Sequence, residues 1–290
     1  MKSPRLFSSL SWKILAENRV RFVFSVIGIA LSITLILIIR GFQDGIIHQV
    51  RRYPLKSGAD IIVSQEGAES VLLTSSVLRR PLKGNLQKVA GVEKVTDVIL
   101  SMVIFDHKDH KAPITIIGYD QNQAMGGPWA MAGGSPLSRR APYLKTVESS
   151  DIPVLREQLV PKEVIFDVKL AQDYGLKVGN RVKIQDDFFT IVGLSDDTTA
   201  WITSPVFMSR ESAAAVLKRP EKSTGLFLVN VAEDRNIQDV QKRMVLQSAD
   251  PRGRSRWMKS IGVLTAEEFA GKEEELTRDF FVSIDRKSTR

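Results

Sequence analysis

From Phe22 to Ile39 the chain runs for 18 residues without a charge, and no other stretch constrains it as strongly. As a helix rising ~1.5 Å per residue this run reaches roughly 27 Å, close to the hydrocarbon thickness of a bilayer. Lipid offers no partners to backbone N–H and C=O groups, so a spanning segment has to be helical despite its β-branched content. Three readings compete for it. A cleaved signal peptide has a shorter apolar region and a small-x-small cleavage site, whereas Arg40-Gly-Phe-Gln-Asp44 follows here. A buried core helix carries polar positions at regular spacing, which this run lacks. A retained transmembrane anchor fits best. Gly28 and Ser32, four apart on one face, either let another helix approach closely or are ordinary small residues of a span.

Lys2, Arg5, Lys13, Arg19 and Arg21 precede the run, while Arg40, Arg51, Arg52 and Lys56 follow it. Because long domains translocate largely regardless of charge, basic residues on the short side place the N-terminus in the cytoplasm and the rest of the chain outside. Residues 1–21 form an amphipathic cytoplasmic segment. Pro4 stands at a helix start and Leu6, Leu10 and Ile14 make an apolar stripe beside Phe7 and Trp12, as an interfacial helix requires. An extended tail is the alternative, since so short a helix is marginal without a surface to lie on.

A net charge of +8 over 290 residues invites a nucleic-acid reading, but the charge is concentrated at the two ends. Five basic residues and Glu17 lie in the first 21, and the last six residues add +2, so only +2 remains between them. That is no footprint for DNA or RNA. The chain has no cysteine, so an exported domain has to hold together without disulfides, as in a bacterial envelope protein. Asp285-Arg-Lys-Ser-Thr-Arg290 reads as the translation of a sequencing adapter, which implies a natural chain continuing past Ile284; a genuine short basic tail is the alternative.

Beyond the anchor, pattern and turn chemistry predict strands at Asp60–Ser64, Val95–Phe105 and Ala112–Gly118, with a short helix at Leu86–Ala90 ended by Gly91. The glycine- and proline-rich stretch from Met125 to Pro142 predicts a long loop. Glu163–Phe166 reads as a strand and Val168–Tyr174 as a helix ended by Gly175. Leu176–Ile184 and Phe188–Gly193 read as partners across Gln185-Asp-Asp187, and Val206–Met208 and Glu211–Lys218 as strand and helix. Gly225–Val231, a helix over Asn236–Gln247 and a strand at Ser260–Leu264 complete the pattern. Thr265-Ala-Glu-Glu268 is a capping box opening a helix to about Phe281. The fold class is α+β: a transmembrane helix (22–39), then an extracytoplasmic split α+β domain (40–279) with a β-rich insert at about 150–218, and the start of a second span at 280–284.

No P-loop, G-x-S-x-G elbow, H-E-x-x-H helix or cysteine nucleophile occurs. Asp106, His107, Asp109 and His110 can be drawn as a metal cluster, but a polar turn between two strands calls for the same residues. Asp186-Asp187 and Asp196-Asp197 are explained as solvated loop ends without acid–base work. Neither catalytic, cofactor nor metal residues are assigned. Trp129 and Trp201, with Met125, Met131 and Phe207, either line an apolar groove or pack under long loops.

Leu10-Ser-Trp-Lys-Ile-Leu-Ala-Glu-Asn-Arg-Val-Arg-Phe22, Val26-Ile-Gly-Ile-Ala-Leu31 and Gly41-Phe-Gln-Asp-Gly45 resemble the start of permease subunits of the MacB/FtsX-like ABC transporter superfamily. With Met125-Gly-Gly-Pro-Trp129 and Leu264-Thr-Ala-Glu-Glu-Phe-Ala270 the match is closest to the DevC-like, heterocyst glycolipid exporter type. The resemblance covers residues 5–284 and implies one N-terminal span, the split outer domain, and three further spans that this sequence lacks. It also implies a homodimer, a separate ATP-binding subunit and a membrane-fusion partner outside; contact with membrane lipid follows from the span itself, and neither nucleic acid nor a cofactor is expected from the charge pattern and motifs. Trp12, Lys13, Asn18, Arg19 and Arg21 match the cytoplasmic entry of the family's first span. By resemblance they anchor the chain at the inner surface or touch the ATPase. A competing reading from another class is a single-span sensor or adaptor, which requires a natural end near residue 290.

Overall fold

The computed structural model describes residues 19–68, 76–108, 110–123, 125–138, 161–199, 203–248 and 261–288. The chain divides into two compact units, Met1–Ile46 and Ile47–Arg290. The apolar run lies inside helix α1 (Arg19–Val50), the one helix among the described residues that is long and apolar enough to cross a membrane. Its large side chains face outward, with Phe24 70% and Leu37 65% exposed, which a core helix in water would not permit. The hydroxyls of Ser25 and Ser32 donate back to the carbonyls of Arg21 and Gly28, both at 2.9 Å, so these two polar groups are satisfied within the helix.

The second unit is mixed α/β, and the expected α+β class with one N-terminal apolar helix holds. After α2 (Arg52–Lys56) and β1 (Ile61–Gln65) come β2 (Leu78–Arg79), α3 (Leu82–Leu86), β3 (Val92–His107), β4 (His110–Tyr119) and β5 (Met131–Gly134). Next are β6 (Glu163–Asp167), α4 (Val168–Asp173), β7 (Arg181–Ile184), β8 (Asp187–Ser195), β9 (Ser204–Ser209) and α5 (Arg210–Val216). The return leg is β10 (Ser223–Thr224), β11 (Leu226–Val231), α6 (Ile237–Ser248), β12 (Ile261–Thr265) and α7 (Ala266–Ser288).

One long sheet runs in the order β12-β1-β11-β3-β4-β9-β6-β8-β5, with β7 on β8; β2 and β10 form a separate ribbon. Strand β3 serves both ends of it. Its residues up to Val98 pair with β11, and from Ile99 they pair with β4. The sheet therefore has an α+β half and a β-rich half joined through one strand.

Because successive strand residues face opposite sides, the alternation along β3 sorts the core. Val98 and Leu100 face a continuous apolar layer that draws Ile62 and Leu228 from one half and Ile117, Ile165 and Phe207 from the other, covered by Tyr53, Met125 and Phe269. The opposite face is split. Val95 belongs to a cluster with Phe227 and Val229, covered by Leu82 and Leu86 of α3 and Val240 and Met244 of α6. Ile99 belongs to another with Phe166 and Val206, covered by Leu170 of α4 and Ala213 and Val216 of α5.

Local chemistry explains several boundaries. In the capping box, Thr265 N–H donates to Glu268 at 2.9 Å and Glu268 N–H donates to the Thr265 hydroxyl at 3.1 Å. Asp167 caps α4 by accepting from the amides of Lys169 and Leu170, and its carboxylate also takes the hydroxyls of Thr198 and Thr199 at 2.7 and 2.8 Å. The β7–β8 hairpin turns at Gln185, whose φ of 55° is left-handed. Helix α3 ends where the sequence pattern starts it, because Pro81 presets the backbone (φ −57°) for a helix one turn earlier. The stretch read as one long loop from Met125 contains β5, an edge strand on β8. Its glycines hide its strand character, and Gly134 allows the close approach: a Cβ there would stand 2.7 Å from Gly193 Cα of β8, while one on Gly193 would stand 2.6 Å from Met131 Cε. Helix α7 runs to Ser288, past the expected end at Phe281, since no glycine or proline interrupts it there.

Gly118 of β4 lies under α5. A Cβ there would collide with Ala213 Cβ and press on the Arg210 backbone at 3.3 Å. Gly118→Ala is expected to destabilise by about 1–3 kcal/mol, the usual cost of overpacking. Denaturant unfolding of the variant beside the unmodified protein measures it; an unchanged midpoint would show that α5 lifts without cost.

Candidate coupling site at the start of the folded domain

Three consecutive residues, Arg51, Arg52 and Tyr53, tie the beginning of the second unit to its separate parts. Tyr53 enters the shared apolar layer, and its hydroxyl donates to the carbonyl of Gly126 across 3.4 Å. Burial pushes that hydroxyl far above its ordinary titration range, so it stays neutral. Its seat is Met125-Gly-Gly-Pro-Trp129. Met125 is buried in the same layer, and Gly126 N–H donates to the carbonyl of Ser57 at 2.8 Å. Gly126 has φ +82° and lies against Val98, where a Cβ would stand 2.8 Å from the Val98 methyl, so no larger residue fits. A Cβ on Gly127 would stand 2.7 Å from the Tyr119 ring.

The two arginines diverge. Arg51 pairs with Glu274 of α7 at 3.0 Å, while Arg52 pairs with the carboxylate of Asp197, in the turn after β8, and donates to its carbonyl at 3.3 Å. These side chains are partly exposed, so each pair contributes about 1 kcal/mol or less. Their value is geometric: the chain's entry into the domain is fastened to α7 on one side and to the β-rich half on the other. Beside Tyr53 opens a cleft walled by Val50, Ile117, Trp129, Pro205 and Phe207, with Gln49 and Arg52 also lining it. Thr115 and Thr203 line it too, their hydroxyls 2.7 Å apart and mutually bonded.

Of the residues expected to line an apolar groove, Trp129 and Phe207 line this cleft and Met125 packs in the layer beneath. Met131 sits on the edge strand β5, and Trp201 lies outside the described residues. The residues matched to the first span's entry are only partly in view. Trp12, Lys13 and Asn18 lie outside the described residues, while Arg19 and Arg21 are exposed in the first turn of α1. Gly28 and Ser32 share a side of α1, and a Cβ at Gly28 would meet nothing within 4 Å. At the β3–β4 turn the His107 ring stacks on Phe105 and Tyr174 stands edge-on to Phe105, while Asp106 pairs with Lys111 at 3.3 Å. No group of three metal-ligating side chains gathers among the described residues. Asp186 pairs with Lys218 and Asp187 with Lys162.

Arg51, Arg52 and Tyr53 were not singled out by sequence reasoning as a site. Their partners lie from 73 to 223 residues away in the chain, and the only pointer was the Met125–Trp129 motif, recognisable without showing what it receives.

Comparison with known proteins agrees with this architecture. A family profile described as the MacB-like periplasmic core domain matches residues 23–246. No curated protein matches. Among solved structures, the periplasmic region of MacB from Actinobacillus actinomycetemcomitans superposes with a TM-score of 0.51 at 14% identity, covering 76% of this chain and 95% of that one. The extracellular domain of the noncanonic ABC-type transporter YknZ from Gram-positive bacteria gives a TM-score of 0.46 at 11% identity, covering 72% and 99%. The fold likeness rests on the first of these, and the profile spans well over half of the sequence. The chain belongs to the family of MacB-like periplasmic core domain proteins.

Proposed function

We propose that this chain is the membrane-spanning permease subunit of an ABC exporter, in which ATP hydrolysis by a separate cytoplasmic subunit moves an outer domain. The observation that carries this reading is the fastening of Arg51, Arg52 and Tyr53 to α7, to the Asp197 turn and to the shared apolar layer, directly after α1 in the chain. Because Arg51, Arg52 and Tyr53 hold α7, the Asp197 turn and the shared apolar layer, a displacement of this segment is felt by both halves of the sheet. The permease itself performs no covalent step.

In this reading the N-terminus is cytoplasmic and the folded domain lies outside the inner membrane. Trp12, Lys13, Asn18, Arg19 and Arg21 hold the inner surface or meet the ATPase, and Gly28 and Ser32 seat a neighbouring helix. Further spans follow Ile284. The working unit is a homodimer in contact with lipid and with a membrane-fusion partner, of the DevC-like type.

The test is to co-express the full-length product with a candidate ATP-binding subunit from the same organism and to capture the tagged permease. The expected result is a stable complex with the outer domain accessible to protease in spheroplasts, while the cytoplasm stays sealed. Charge reversal at Arg52 (R52D) is expected to lower export while ATP hydrolysis continues, and the swap R52D with D197R to restore it. Failure to capture any ATPase, or a cytoplasmic folded domain, would sink the proposal.

A further inference from the structure

We infer that Arg210 is a staple that makes the two halves of the sheet behave as one mechanical body. The chain crosses between the halves twice within this region. It leaves the α+β half between Val98 and Ile99 of β3 and returns through Ser223–Gly225, where Gly225 N–H and the Thr224 hydroxyl both donate to the Val98 carbonyl, at 3.0 and 3.1 Å. Arg210 is bonded to both crossings. Its Nε donates to the carboxylate of Asp97, one residue before the outgoing crossing, and its Nη2 donates to the carbonyls of Glu221 and Ser223, at 3.3 and 3.0 Å, on the returning one. The Asp97 carboxylate also accepts from Arg80 Nε at 3.0 Å and Lys83 Nζ at 3.2 Å, and Arg79 of β2 pairs with Ser223 of β10.

The place of this cluster in the core is what gives it a mechanical role. On one face the apolar layer runs continuously through both halves. On the opposite face Val95 belongs to one cluster and Ile99 to the other, and Asp97 is the residue between them. The seam between the two cores is thus filled by an ion pair whose side chains are 3% and 1% exposed. Apolar contact across a seam slides; a guanidinium holds fixed directions, because its planar fork presents several donors at set angles. An ion pair buried in this way adds little net stability over an apolar filling and is better suited to fixing geometry. The inference stands without the transport reading.

Hydrogen exchange on the full chain in lipid nanodiscs tests it. In the unmodified protein, amides of Val164–Phe166 and Val206–Met208 in the β-rich half are expected to open together with those of Ile62 and Val229 in the other half. Protection should fall in parallel as denaturant is added. In Arg210→Met the β-rich set is expected to exchange about tenfold faster relative to the α+β set, because the halves then open separately. Should that variant fail to fold, Arg210→Lys keeps the charge beside Asp97 but loses the fork, and the same divergence is expected. Parallel protection of both halves in the folded variant, or divergence already present in the unmodified protein, would overturn the inference.

Discussion

Asp97→Ala is expected to destabilise the folded domain by about 3–5 kcal/mol, the cost of breaking a buried ion pair from one side. The side chain is 1% exposed, and its removal leaves the guanidinium of Arg210, 3% exposed, without its carboxylate. Arg80 and Lys83 lose the same acceptor, but with 35% and 22% exposure they can turn to water, so their share is small. Asp97→Asn keeps one acceptor oxygen and the shape, and is expected to cost clearly less. Denaturant unfolding of both variants measures the pair; equal and small losses would mean that Arg210 finds other partners.

The same group sets an acid limit. Burial alone would push the Asp97 carboxyl up, but the guanidinium of Arg210, then Arg80 and Lys83, together hold it below the ordinary carboxylate value. A group whose pKa is depressed on folding contributes stability that is present above its unfolded value, near 3.8, and is lost as pH falls through the folded value. Stability from this site is therefore flat at neutral pH and declines only below about pH 4. Asp97→Asn should remove that part of the acid decline, which a pH series of unfolding midpoints would detect.

Tyr53→Ala is the other large effect expected, about 3 kcal/mol or more, because it leaves an aromatic-sized cavity in the layer shared by both halves. Tyr53 belongs to one apolar cluster with Val98, Leu228 and Phe269 from the α+β half and Phe207 from the β-rich half, so a void there weakens the layer on both sides. Tyr53→Phe should cost less than about 1 kcal/mol, since the bond it loses is long at 3.4 Å. The contrast separates packing from hydrogen bonding. If the permease reading holds, Tyr53→Ala also leaves ATP hydrolysis running while export fails, and equal losses in the two variants would assign the work to the hydroxyl instead.

Which parts of this were legible in the sequence follows from the range of the interactions concerned. The apolar run could be read because a membrane span is defined by consecutive residues. The capping box at Thr265–Glu268 and the turn at Gln185 were legible for the same reason, each being a local agreement between neighbours in the chain. The β5 strand was not, because Gly134, which lies in close approach to β8, looks like a loop residue when the partner is out of sight.

The site divides along the same line. Sequence pattern alone determined that a long apolar helix precedes a mixed domain and where most strands and helices lie, and the family resemblance marked Met125–Trp129 as a motif to explain. Only the tertiary structure decided that Tyr53 sits on that motif, that adjacent arginines reach Glu274 and Asp197, and that Asp97 meets Arg210 across 113 residues. Periodicity records which side of a strand is buried, and Asp97, as a charge in a buried strand, announces only that it needs a partner. The identity of that partner is set by pairing β3 with β11 and β4 and by packing α5 on the β-rich half with Arg210 reaching Asp97 at the seam, which no local pattern encodes.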